Sequence, residues 1–338
     1  MALVGIIANP AASKDIRRLV AHGRVVPDWE KVNIIRRVLL GLEAVGVHRA
    51  VGMPDLSHLC RRARDDAQLS LDMEVLDMPI WGSVEDSIRA AAMMEEMGVG
   101  CLVTLGGDGT NRAVAKGLSL NAARDCGQLP LVPISTGTNN VFPTMMEGTL
   151  AGLVAGVVAL GLVDLDRVSA NSKRIEVYLN GEFRDLALVD VAVSKERFVA
   201  TRAIWDMGTI HEVFLTRAEP TSIGLSSIGA RLHPISMADE VGLYFRPGSN
   251  GRTVLAPVAP GMVRQVPIEE WRLLPLGERV KIDHSPCTIA LDGEREFSVL
   301  PGQEVEVAVS NHGPRVILLE AALREATTQG IFSSLPGN

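Results

Sequence analysis

Residues capable of chemistry concentrate in Gly106-Gly107-Asp108-Gly109-Thr110, which follows the apolar run Cys101 to Leu105. The run reads as a buried parallel strand. The residues after it, with Val114 and Leu118 on one face, read as a helix. Three glycines in four positions allow a tight turn and close backbone approach to a ligand. The helix that follows presents unpaired N–H groups at its positive end, a seat for phosphate. Asp108 among those donors is an acid/base group, a helper for a metal on a polyphosphate, or an N-cap of the helix.

A second polar loop, Thr136-Gly137-Thr138-Asn139-Asn140, ends the next apolar run, Leu131 to Ser135. Strand and helix signals alternate from Leu3 onward. Leu3–Ala8 is extended and stops at Asn9-Pro10. Trp29 to Val45 is helical, Val47 to Gly52 extended and Pro54 to Ala67 helical. Leu71 to Leu76 is extended, and Val84 to Met97 is helical behind a Ser83…Asp86 capping box. A basic helical stretch, Ile16 to Ala21, carries Arg17 and Arg18, for which a solvated helix face is expected. Such alternation predicts a doubly wound parallel sheet covered on both faces. Loops 106–110 and 136–140 then face one crevice at the carboxyl ends of neighbouring strands, where open α/β sheets bind ligands.

Beyond about Val163 the pattern turns to β. Arg174 to Leu179 and the run from Phe183 alternate about Asn180-Gly181, and Asp292-Gly293 marks another hairpin. Short strands are expected at 186–193, 240–245, 253–257, 280–282, 288–291 and 304–309. Arg315 to Thr328 reads as a strand running into a helix. The expected division is an α/β nucleotide-binding domain over 1–162, a β-sandwich substrate domain over 163–314, and a segment 315–338 returning to the first.

The bulk composition fits this. The 338 residues are 47% hydrophobic with few aromatics, and the net charge is −7. That argues against disorder, a nucleic-acid-binding face and attraction to an anionic membrane. Cys60, Cys101, Cys126 and Cys287 lack C-x-x-C spacing, which fits a reduced, cytoplasmic chain without structural zinc. Thr149 to Val163 is too short to span a bilayer and reads as a buried helix. His211-Glu212 lacks the second histidine of a zincin, and Gly224-Leu-Ser-Ser-Ile-Gly229 has the wrong spacing for a nucleophile elbow.

Taken together, the glycine loop resembles the signature of the superfamily of NAD kinases, diacylglycerol-type lipid kinases, sphingosine kinases and 6-phosphofructokinases. Asn9-Pro10 is similar to its opening Asn-Pro. Glu219-Pro-Thr-Ser-Ile-Gly-Leu-Ser-Ser-Ile-Gly-Ala-Arg-Leu-His-Pro234 resembles the Thr-Pro-Thr-Gly-Ser-Thr-Ala-Tyr…His-Pro stretch of NAD kinases. Its centre departs, reading Ser222-Ile-Gly-Leu-Ser226. With Ser135-Thr-Gly-Thr-Asn-Asn-Val-Phe-Pro143, this variant is similar to the ATP-NAD kinase-like acetoin-catabolism protein X group. Ala187-Leu-Val-Asp190 aligns with the Ala-Leu-Asn-Glu of NAD kinases, so Val189 replaces an amide that contacts the dinucleotide and Asp190 keeps the acid.

The resemblance implies a kinase using ATP or polyphosphate with Mg²⁺ held through phosphates, and NAD or a related small molecule as acceptor. Asp108 would be the general base. Asn9, Gly106, Gly107, Gly109, Thr110, Thr136, Gly137, Thr138, Asn139 and Asn140 would hold nucleotide and phosphate. Asp190, Thr221, Ser222 and Ser226 would contact substrate. The resemblance also implies a homodimer or higher homo-oligomer. The alternatives are a non-catalytic nucleotide-binding regulator linked to acetoin catabolism, and a lipid kinase. Arg112 and Lys116 are expected on a solvated helix face, His233 in a structural role, and Asp292 in an ordinary hairpin turn.

Overall fold

The computed structural model describes residues 2–12, 22–65, 69–120, 129–195 and 207–334. Ile16 to Ala21 with Arg17 and Arg18, and Cys126, lie outside the described residues. The strands in chain order are β1 (Leu3–Ala8), β2 (Arg49–Gly52), β3 (Asp72–Val75), β4 (Cys101–Gly106), β5 (Leu131–Ser135), β6 (Ser169–Asn171), β7 (Arg174–Leu179), β8 (Glu182–Ala187) and β9 (Asp190–Ser194). They continue with β10 (Ile210–Leu215), β11 (Val241–Ala259), β12 (Met262–Pro275), β13 (Arg279–Ile282), β14 (Cys287–Leu291), β15 (Glu294–Val299), β16 (Val305–Ser310) and β17 (Arg315–Ile317). The helices used below are α1 (Asp28–Ala44), α2 (Leu59–Asp65), α3 (Val84–Glu96), α4 (Asp108–Leu120), α5 (Gly148–Ala159), α6 (Leu165–Val168), α7 (Leu225–Leu232) and α8 (Leu319–Thr328).

The first sheet has the order β3-β2-β1-β4-β5-β17-β6. All its neighbours pair in parallel except β17 and β6. The chain moves outward from β1 through β2 to β3, then returns to the other side of β1 with β4. That reversal makes a crevice at the carboxyl ends of β1 and β4, where Asn9 and Asp108 sit. The strands are apolar on both faces because both are covered. Ile6, Val103 and Leu105 pack toward α1, α2 and α5, while Ile7 and Leu102 pack toward α3 and α4.

The remaining chain builds two antiparallel sheets, ordered β12-β11-β10-β9-β14-β15 and β13-β16-β7-β8. Val177, Val191, Phe214, Ile289, Val307 and their neighbours fill the space between them. Asn180 and Gly181 both take positive φ at the β7–β8 turn, as do Asp292 and Gly293 at the β14–β15 turn. This is the geometry that Asn-Gly and Asp-Gly hairpins favour. Leu186, Leu188 and Val189 join the same apolar cluster as Ile7 and Val114 of the first sheet and α4.

Several expectations change. The strands read at 240–245 and 253–257 are one bulged strand, β11, paired along most of its length with β12. Helix α7 interrupts the β-rich region and packs on β10 and β11. The helix expected over Pro54 to Ala67 begins at Leu59, because Asp55 first closes a turn by accepting the N–H groups of Ser57 and Leu59. The Ser83…Asp86 capping box does not form. Asp86 instead accepts the N–H groups of Trp81 and Gly82 upstream of α3.

The Thr149 to Val163 segment is the buried helix α5, capped by Glu147, which accepts the N–H groups of Thr149 and Leu150. Among the described residues no helix is long and apolar enough to cross a membrane. Cys60, Cys101 and Cys287 are buried and free.

Helices α1 and α5 approach so closely that a Cβ on Gly152 would sit 2.2 Å from the Val38 carbonyl oxygen. Gly152→Ala should therefore destabilise the protein by about 1–3 kcal/mol, despite the better helix propensity of alanine. Urea unfolding with the tryptophan signal would measure it, and an unchanged midpoint would show that the helices can separate without cost.

Candidate active site

The site grows from the ends of β4 and β5. Helix α4 begins at Asp108, yet this carboxylate does not cap its own helix. It reaches across to the loop after β5, where Oδ1 accepts the N–H groups of Val141 (3.0 Å) and Phe142 (2.8 Å). Oδ2 also accepts from Val141 at 3.1 Å. The two polar loops are thus tied to each other through the side chain expected to carry the chemistry.

The three glycines stand where neighbouring side chains approach closely. None of Gly106, Gly107 and Gly109 has positive φ. A Cβ on Gly106 would lie 2.5 Å from the Thr110 side chain, one on Gly107 2.8 Å from Asn140 Oδ1, and one on Gly109 2.8 Å from Glu294 Oε1. Asn9 donates from Nδ2 to Thr110 Oγ1 (3.0 Å) and accepts the N–H of Ala11, clasping the end of β1 to α4. Asn140 donates to Ser135 Oγ at 2.8 Å. The Ser135 hydroxyl in turn bonds the backbone of Gly137, and Thr138 donates to Asn139 Oδ1. The Thr136 hydroxyl is buried with no hydrogen-bond partner. A buried hydroxyl with no partner, on a residue whose N–H is bonded to the Gly106 carbonyl, suits a phosphate-bearing ligand.

Residues from the β-rich sheets complete the cluster. Asp292 is buried, and its carboxylate accepts the N–H groups of Leu188, Val189 and Asp190 at 2.7–3.1 Å. Arg112, one helical turn after Asp108, lies 3.8 Å from Asp185, 3.8 Å from Asp292 and 3.6 Å from Glu294. The expectation of a solvated Arg112 is corrected here: its side chain is 2% exposed, because α4 is covered by the β14–β15 hairpin. Lys116 is part-exposed and pairs with Asp185 at 3.0 Å, so it too lies against the β-rich part rather than on a free face. Asp292 occupies a hairpin turn as expected, but the same residue also holds the site together.

Among the residues expected to contact substrate, Asp190 belongs to this cluster, and its Oδ1 is buried without a hydrogen-bond partner. Val189 is fully buried among apolar side chains and presents no polar group. Thr221 is exposed. Ser222 donates to the Glu219 carbonyl, and Ser226 donates to the Arg217 carbonyl while accepting the N–H of Glu219. Ser222 and Ser226 therefore shape the 217–226 turn.

Sequence reasoning passed over Lys31 and Arg217. Lys31 is fully buried and donates to the carbonyls of Asn9, Pro10 and Ala12, which fixes the loop after β1. Arg217 is 5% exposed at the end of β10, with its guanidinium 5.2 Å from the Phe142 ring centroid. The i,i+4 spacing of Asp108 and Arg112 was a usable signal, since it puts both on one helix face. Nothing local marked Lys31 or Arg217.

Burial dominates the electrostatics. It raises the Asp108 carboxyl to about 7, helped by the negative charge of Asp292 and opposed by the N–H groups of Phe142 and Val141 and by Arg217. Burial and the charges of Asp292 and Asp108 hold Asp190 well above the ordinary carboxylate range. Burial also raises Asp292, against Arg112 and its three N–H donors.

The family models match in two blocks. Residues 173–312 match the acetoin catabolism protein X C-terminal domain, and residues 54–163 match the diacylglycerol kinase catalytic domain. The chain is 39% identical to acetoin catabolism protein X of Cupriavidus necator, over 99% of this chain and 95% of that one. The chain belongs to the acetoin catabolism protein X family. It is also 26% identical to a Methanosarcina acetivorans NAD kinase, over 66% of this chain and 75% of that protein. Yeast NADH kinase complexed with NADH superposes with a TM-score of 0.53 at 14% identity, covering all of this chain and 89% of that one. In this family member, then, a kinase-like fold carries the cluster of Asp108, Asp190, Asp292, Arg112 and Arg217.

A raised carboxyl means that the folded protein binds protons more readily than the unfolded chain. The stability owed to Asp108 is full below its unfolded value near 4 and is lost as pH rises through about 7. Asp190 and Asp292 act in the same direction. The urea midpoint should fall between pH 5 and pH 8, and Asp108→Asn should flatten that fall and raise stability at pH 8. A midpoint rising with pH would contradict this account. Asp292→Ala, which strips the acceptor from three buried N–H groups, should cost about 3 kcal/mol or more by the same measurement.

Proposed function

We propose that the protein is a phosphotransferase that moves a phosphoryl group from ATP, or a polyphosphate, to a hydroxyl of a small nucleotide-like acceptor, with NAD the first to test. The observation that carries this reading is the placement of Asp108. It is a buried carboxylate at the mouth of a glycine loop, pinned by two backbone N–H groups and poised near neutrality. Phosphoryl transfer asks mainly for positioning and charge neutralisation, with a group that accepts or orients the hydroxyl proton. A carboxylate titrating near the working pH suits that role. The likeness to the NAD kinases and to the diacylglycerol kinase catalytic domain supports the same reaction class.

In this reading the 106–110 and 136–140 loops hold the phosphates, with the Thr136 hydroxyl giving one hydrogen bond. Asp190 and Arg217 face the acceptor from the β-rich side. Among the described residues there is no grouping of three or more His, Cys, Asp or Glu side chains that could hold a metal ion. In this reading Mg²⁺ is carried on phosphate oxygens, where it would neutralise charge on the transferred group. Asp108 holds the proton that leaves the acceptor hydroxyl. Val189 offers no hydrogen bond to an adenine edge, so the reading places recognition of the acceptor on Asp190 and on backbone groups.

The test is NADP formation from NAD, ATP and Mg²⁺ beside Asp108→Asn. The variant should lose about 10²–10⁴ in rate. Because the base must be ionised, wild-type kcat/KM should rise with pH and level off above about 7. Turnover that survives in Asp108→Asn would remove Asp108 from the reaction. Absence of turnover with NAD, with phosphorylation of another hydroxylated acceptor, would keep the reaction class and change the substrate.

A further inference from the structure

One group in the cluster has charge and geometry that the protein itself does not use. Arg217 is 5% exposed, and its Nε and Nη2 are buried with no hydrogen-bond partner. Those two nitrogens form one edge of the guanidinium, the fork that matches two oxygens of a phosphate or carboxylate. Its remaining contacts hold that fork in place without occupying it. Nη1 lies 3.6 Å from Glu219, and the guanidinium lies over Phe142, whose N–H binds Asp108. The Arg217 carbonyl is tied to Ser226. The preceding residue, Thr216, is bonded through its hydroxyl and N–H to Leu188 and Val189, the segment whose N–H groups hold Asp292.

A buried guanidinium with one unpartnered edge is costly to maintain in water-poor surroundings unless an anion completes it. We propose that the Nε–Nη2 edge of Arg217 is an oxyanion fork beside Asp108, and that it grips a phosphate of the nucleotide bound in the crevice. The inference rests on the phosphotransferase reading for its ligand class. The phosphate belongs either to the donor triphosphate or to the acceptor dinucleotide, and both offer the paired oxygens that the fork requires. By gripping that phosphate, Arg217 would fix the reacting group relative to Asp108, the task for which bidentate arginines are suited.

The experiment is calorimetric titration of the full chain with ATP, with NAD and with inorganic pyrophosphate, in the presence of Mg²⁺. Wild type, Arg217→Lys and Arg217→Met are compared after far-UV and thermal checks of folding. Wild type should bind at least one probe, Arg217→Lys should weaken that binding roughly tenfold or more, and Arg217→Met further still. A loss confined to ATP assigns the fork to the donor, and a loss confined to NAD assigns it to the acceptor. Unchanged affinities in folded Arg217→Met, or a wild type that binds none of the three, would overturn the proposal. The two readings separate cleanly. Arg217-dependent binding without turnover upholds the fork alone, whereas turnover with Arg217-independent binding upholds the transferase alone.

Discussion

Three carboxylates gathered in one cluster, Asp108 and Asp292 buried and Asp190 part-buried, constrain everything around them. Asp108, Asp190 and Asp292 come from the first sheet's loop, from β9 and from the β14–β15 turn, and each has to be satisfied away from water. The chain answers with backbone donors. The loop after β5 turns two N–H groups onto Asp108, and the β8–β9 junction turns three onto Asp292. Arg112 then reaches from α4 to Asp185, Asp292 and Glu294. The Arg112 contacts, with the Lys116–Asp185 pair, run between the parallel sheet and the antiparallel ones, so the relative placement of the two is fixed by ion pairs as well as by the apolar cluster of Val114, Leu186, Leu188 and Val189. A one-residue slip in β9 would turn Asp190 away and leave the Asp292 carboxylate short of donors.

The glycine loop follows from the same crowding. Thr110, Asn140 and Glu294 each occupy the space where one of its glycines would carry a Cβ. Lys31 repeats the device on the other side of the crevice, where one buried ammonium gathers three carbonyls from the chain leaving β1. Its three donors match those three acceptors.

What could be read in the sequence, and what could not, divides along physical lines. The alternation of apolar runs with helical periods revealed the parallel sheet, and Asn180-Gly181 and Asp292-Gly293 revealed their hairpins, because these signals are local. Pairing of Gly106 with Ser135 in adjacent strands brings the two polar loops together as expected. Helix α7 was missed since Gly224 and the flanking serines resemble a loop until Ile228 and Leu232 find the β10–β11 face. The capping box failed because Asp86 had nearer donors upstream of the helix. The burial of Arg112 was invisible for a different reason. Its partners Asp185, Asp292 and Glu294 lie far along the chain, and only the tertiary fold brings them to α4. Arginine at an exposed-looking helical position has no local mark of such partners.

The charge balance of the cluster carries the argument one step further. With every group ionised, the carboxylates of Asp108, Asp190 and Asp292 outnumber the guanidinium groups of Arg112 and Arg217. Burial is the main reason all three carboxyls lie above their ordinary range, and neighbouring carboxylates add to it at Asp108 and Asp190. A polyphosphate entering the crevice would add negative charge and drive Asp108 further toward its protonated form, the wrong direction for a base. Positive charge must therefore arrive with the phosphate or be waiting for it. A divalent cation carried on the phosphate oxygens would meet the first requirement, and the unpartnered edge of Arg217 would meet the second. In the phosphotransferase reading, a cluster with this excess of carboxylates would suit a cation-bearing anion better than a bare one.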